Sequence, residues 1–163
     1  MIIWSSVSFS YHMNNIYVKY LPGDIYVNMI VSGIADTTAS LISSYIGYKI
    51  GLKNGLIIGF VLSFISGFFL IFITQSSDPF TMAVLIIVSR FGISFSFNLC
   101  VLGTSEYFPL LFRATAYGIC NVWARTITIT SPIIAEVKEP YPMLIFAFAS
   151  LLSIATCFIL KKV

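Results

Sequence analysis

Apolar positions along the chain gather into long runs separated by short polar breaks. Five runs are clear, at about 27–47, 55–74, 80–104, 115–134 and 142–160; a sixth, at about 1–18, is interrupted by serines, asparagines and His12. Each is near the ~20 residues an α-helix needs to cross a hydrocarbon core about 30 Å thick. The breaks are short, so the pattern predicts antiparallel helices in one bundle over residues 1–163, with no room for a soluble domain. The sharpest break falls between Thr104 and Thr115, where Glu106, Pro109 and Arg113 lie close together. Pro109 has no N–H and disfavours a helical residue before it, so a reversal belongs there. Small residues within the runs (Ser63, Ser66 and Gly67; Ser94 and Ser96) predict close helix packing, and Gly55 with Gly59 forms a GxxxG match.

Composition removes the soluble alternative. Charged residues make up 9% of the chain, hydrophobic residues 58%, and the mean hydropathy is +0.97. A soluble domain usually carries about 25% charged residues, so this surface belongs in a membrane. The net charge of +3 comes from scattered residues with no basic run, which gives no footprint for nucleic acid. Cys100, Cys120 and Cys157 fall inside apolar runs at unrelated spacings and read as buried small hydrophobes, not as a disulfide or metal pattern. His12 stands alone and reads as structural. No nucleophile–base spacing, phosphate loop or cofactor motif is present, so no enzyme and no cofactor is expected. The first residues lack the basic segment and cleavage site of a signal peptide.

Basic residues orient the runs. Lys49, Lys53, Arg113, Lys161 and Lys162 would share one side, against Lys19 and Lys138 with Asp24, Asp78, Glu136 and Glu139 on the other. The positive-inside rule puts the first set in the cytoplasm.

Three charges lie inside the runs. Arg125 and Arg90 are each about 15 Å from the start of their runs and Asp36 about 14 Å, at 1.5 Å per residue. All three therefore fall near the middle of the membrane, where an ionised side chain marks a functional site by default. One reading pairs Asp36 with one arginine and satisfies the other with hydroxyls and carbonyls. The other gives the excess positive charge to a solute path for an anionic or polar group. Which arginine meets Asp36 stays open. Tyr117 and Asn121 are candidate lining residues, with Tyr11, His12 and Asn98 among further possibilities, while Trp4, Tyr17, Tyr20, Tyr107 and Tyr141 read as interface anchors.

The segment from Thr104 to Pro132 resembles the organic cation/anion transporter family of the major facilitator superfamily. Thr104-Ser105-Glu106, Pro109, Arg113, Thr115, Gly118, Cys120, Ala124, Arg125 and Pro132 match the family's segment between its tenth and eleventh helices and the start of the latter. Phe108 stands for a tyrosine and Thr126 for a glycine. Arg90-Phe91-Gly92-Ile93 and Ser96-Phe97-Asn98 look like its tenth helix, and Gly23 to Asn28 with Ser32-Gly33 like the entry to its eighth, with Asp36 in place of a glutamate. The resemblance implies an all-α membrane protein of six transmembrane helices, equal to the carboxyl-terminal half of a twelve-helix transporter in the plasma membrane. It implies alternating-access transport of small organic ions, with anions favoured by arginine at position 125, and an amino-terminal six-helix bundle or other membrane subunit as partner. Glu106, Arg113, Lys49 and Lys53 would gate or brace the cytoplasmic side. The loop Tyr48-Lys49-Ile50-Gly51-Leu52-Lys53 lacks the acid and one base of the family's latch. That departure favours the rival expectation of a non-transporting structural subunit.

Overall fold

The computed structural model describes residues 1–18, 24–73, 79–137 and 141–159. Lys19, Tyr20, Gly23, Asp78, Lys138, Glu139, Lys161 and Lys162, on which parts of the orientation and motif reading rest, lie outside the described residues. The described part is helical: α1 (Ile2–Tyr17), α2 (Ile25–Ile50), α3 (Leu52–Ile73), α4 (Pro79–Tyr107), α5 (Arg113–Thr128), α6 (Ser131–Ala135) and α7 (Tyr141–Ile159). By length and composition α2, α3, α4 and α7 suffice to cross a membrane. Helices α1 and α5 have 16 residues each.

Five of the six expected helices match these elements to within a few residues. The exception is the run 115–134, expected as one helix and found as two. Pro132 cannot donate to the Thr128 carbonyl, and its ring crowds that carbonyl. The ladder accordingly tightens: Thr130 N bonds Ile127 O at 3.1 Å, and regular pairing resumes with Ile134 N to Thr130 O at 3.1 Å. The reversal expected near Pro109 is present, closed by Phe112 N to Pro109 O at 3.0 Å.

Helix α4 is the hub, packing on α1, α2 and α3, while α7 closes against α1 and α3 and α5 against α1. The α3–α4 seam is close because glycine and serine line both sides. A Cβ on Gly92 would stand 3.0 Å from the Gly59 carbonyl oxygen and 3.1 Å from Ser63 N, backbone atoms that cannot move aside. The GxxxG match is therefore a helix contact: Gly55 and Gly59 admit Leu99, Phe95 and Ser96 of α4. Between α2 and α3 stands one residue, Gly51, whose φ of +89° is a conformation side chains rarely adopt.

Helix α2 is built inside out. Its buried stripe is Ser32, Ala35, Ala39, Ser43 and Gly47, while Ile30, Ile34, Leu41 and Tyr45 are exposed. Asp24 caps it, accepting from Tyr26 N at 2.9 Å. Helix α1 reverses the rule in the other sense, because its polar residues Ser5, Ser8, Ser10 and Asn14 are buried. Its weak hydropathy thus reflects a helix wrapped by protein. Trp4, expected at the membrane interface, is instead 7% exposed in the core, donating through Nε1 to Thr104 Oγ1 at 3.2 Å. That bond, and Lys53 Nζ to Phe158 O at 2.9 Å, bring the start of α1, the α2–α3 junction, the 108–112 turn and the end of α7 to one end of the bundle.

Candidate functional site

Asp36 on α2 meets Arg90 on α4. Arg90 donates from Nε to both carboxylate oxygens at 3.2 and 3.3 Å and from Nη2 to Oδ2 at 2.7 Å. Ser94, one turn along α4, donates to Oδ1. The two charged side chains are 9% and 23% exposed. Two-point charge-assisted contact is the strongest arrangement for such a pair, and it resolves the choice of partner that the sequence left open.

Arg125 is placed differently. It lies in the last turn of α5, where a cation complements the helix dipole, and its side chain is exposed. Its Nη1 stands 3.2 Å from His12 Nε2, and among the described residues it has no carboxylate partner. The other ring nitrogen of His12, Nδ1, is 2.9 Å from the Ser8 carbonyl oxygen. An open groove of about 620 Å³ runs here between α1 and α5, lined by His12, Asn121, Arg125, Thr126 and Thr128 with apolar neighbours. Thr128 is tied back to α1 through Ser8 Oγ at 3.0 Å.

Tyr11 joins the two centres. Arg90 Cζ sits 5.9 Å from the Tyr11 ring centroid, within cation–π reach, and Tyr11 packs edge-on against His12 at 5.7 Å. The three embedded charges therefore lie on one line of contacts: Asp36, Arg90, Tyr11, His12, Arg125. Asn121 shares the groove with Arg125. Tyr117 does not; it packs edge-on against Trp4 at 5.2 Å, nearer the other end of α1. Beside it an apolar cavity of about 530 Å³ is lined by Ile3, Trp4, Leu56, Cys100, Ile119 and Cys120, among others.

The residues expected to gate are scattered over one end. Lys53 and Glu106 line a polar cleft of about 420 Å³ with Asn54 and Tyr107. Lys49 lies over the Tyr45 ring at 4.9 Å. Arg113 opens α5, with a buried Nε that has no hydrogen-bond partner among the described residues. Neither Glu106 nor Arg113 makes an ion pair among those residues.

His12 is the residue whose place sequence reasoning undervalued. It is 113 residues from Arg125 along the chain, and no spacing rule links them.

A bundle of apolar helices, four of them long and apolar enough to cross a membrane, is that of a multi-pass integral membrane protein. The chain belongs to the sugar (and other) transporter family, whose model matches residues 8–162, and within it to the organic ion transporters of the major facilitator superfamily. It is 31% identical over 158 residues to organic anion transporter 3 of Oryctolagus cuniculus, covering 93% of this chain and 28% of that protein. Against organic anion transporter 3 of Rattus norvegicus the identity is 30% over 164 residues, 99% of this chain and 30% of that protein. Solute carrier family 22 member 4 of Mus musculus is 27% identical over 132 residues, 81% and 24% of the two chains. The chain thus spans under a third of the length of these relatives.

Proposed function

We propose that the chain forms the carboxyl-terminal six-helix half of an alternating-access transporter for small organic anions, with α5 and α6 together making one span. Such transporters rock one bundle against another around a site at their interface, so an amino-terminal bundle or another membrane subunit is the partner. By family likeness the membrane is the plasma membrane.

One observation carries this reading: Arg125 is an exposed cation in the last turn of α5, facing an open groove with no carboxylate partner among the described residues. Hydrocarbon rejects such a charge, so the groove must meet protein, water or an anion. Arg90 is neutralised by Asp36 and stands behind Tyr11; Asn121 supplies a hydrogen-bonding wall of the groove, while Tyr117 lies outside it against Trp4. The organic anion transporters to which the chain is similar are named for anions, in agreement with an anionic substrate. Lys49, Lys53, Glu106 and Arg113 mark the cytoplasmic end and hold or release the partner bundle.

The test is uptake of a radiolabelled aromatic carboxylate by the transport-competent assembly. Arg125→Ala should abolish it while surface amounts of the protein stay the same. Unchanged uptake would make Arg125 structural and remove the basis for the site.

A further inference from the structure

The two contacts of His12 fix where its proton sits. The Ser8 carbonyl can only accept, so Nδ1, 2.9 Å away, must carry the hydrogen. The Arg125 guanidinium can only donate, so Nε2, 3.2 Å away, must offer its lone pair. Both bonds coexist only in the neutral imidazole with its proton on Nδ1. A second proton, on Nε2, would put a donor against a donor and a positive charge against a positive charge.

We infer that His12 is a proton site coupled to anion occupancy at Arg125. This rests on the reading of Arg125 as the anion contact. A carboxylate that draws the guanidinium to itself releases Nε2, which then takes a proton from water in the groove. The imidazolium N–H faces the same groove and gives the anion a second positive contact. One negative charge and one proton enter together, so the net charge of the site is unchanged.

The surroundings leave the exchange to these two groups. On α1, Tyr11 lies edge-on to the imidazole. From α4, Arg90 stands behind Tyr11 with its charge already matched by Asp36 of α2. On α5, Tyr117 packs against Trp4 and Cys120 lies in the core cluster that also holds Trp4, leaving Arg125 as the charge against the ring. Helix α6 (Ser131–Ala135) has no titratable side chain. On α7, Cys157 belongs to that same cluster and Tyr141 is exposed at the helix start. Among the described residues no carboxylate pairs with the His12 ring.

His12 is the sole histidine of the chain, so imidazole nitrogen-15 labelling of the 163-residue chain in lipid nanodiscs reports it without assignment. Benzoate serves as the probe anion. The empty protein at neutral pH should show the Nδ1–H tautomer, and benzoate added at fixed pH should convert it to the imidazolium. Benzoate should bind about fivefold or more tightly at about pH 5.5 than at about pH 8, as expected for a coupled pair of sites. His12→Gln should bind it equally at both. The Nε2–H tautomer in the empty protein overturns the inference, as does benzoate binding that leaves the ring neutral or keeps its pH dependence in His12→Gln. If the Nδ1–H tautomer is present but benzoate binds at neither pH, the failure lies in the anion reading of Arg125, and the coupling falls with it.

Discussion

Replacing Asp36 by Asn removes the negative charge of a pair whose cationic member is almost wholly enclosed, with 9% of the Arg90 side chain exposed. Three contacts from Arg90 and one from Ser94 converge on the carboxylate. Stripping one member from a buried pair leaves an uncompensated charge and costs about 3–5 kcal/mol. Asp36→Asn should therefore lower stability by roughly that amount, the amide retaining one of the accepting oxygens and bringing the value toward the lower end. The double variant Asp36→Asn with Arg90→Gln leaves no charge to strand. It should lose less than the sum of the single losses, with a coupling of about 2 kcal/mol or more. Asp36→Asn with Arg125→Gln should be additive, because Arg125 bonds His12 and not Asp36. Unfolding of the purified protein in mixed micelles, followed by circular dichroism against denaturing detergent, gives each value. Additive losses in the Arg90→Gln background, or strong coupling to Arg125→Gln, would refute the pairing.

The seam between α3 and α4 should reject Gly92→Val by about 1–3 kcal/mol, the usual cost of overpacking, whereas Gly33→Ala, with open space around its Cβ, should stabilise by about 0.5–1 kcal/mol; thermal midpoints in detergent distinguish them. Trp4→Phe keeps the ring and removes the donor to Thr104, so it should lower stability by about 1 kcal/mol in the same assay. Pro132→Ala restores a backbone N–H where the ladder is broken, so α5 should extend toward α6, seen as slowed hydrogen exchange at residues 130–132.

Much of the architecture is legible because a membrane helix must bury its backbone within itself, which makes its length visible as an apolar run. Hence the ends of α2, α3, α4 and α7 are close to where the apolar runs start and stop. The reversal at Pro109 and the break at Pro132 have the same chemical cause, yet Pro132 sits in an apolar run that masks it. Trp4 misleads in another way: position near a helix end suggests an interface, but Thr104 on a distant helix offers it a buried acceptor. At the site, an apolar run exposes any charge within it, so Asp36, Arg90 and Arg125 stand out as sequence alone. Their partnering does not, because Asp36–Arg90 and His12–Arg125 depend on which helix faces α4 and α5. Lys49 and Lys53 are neighbours in one loop by sequence, while the structure separates Lys49 on an aromatic ring from Lys53 on the α7 carbonyl.

The buried polar face of α1 has a consequence for how the protein is made. Ser8 finds Thr128, Asn14 finds Ser89 and Trp4 finds Thr104, all partners translated long afterwards. Until they emerge, α1 presents hydroxyls and an amide that hydrocarbon accepts poorly. It must therefore be sheltered beside the insertion machinery while α2 and α3 partition into lipid, and take its final place only after α5 is synthesised. Biogenesis thus runs out of chain order: α1 is made before α2 to α5 and settles after them.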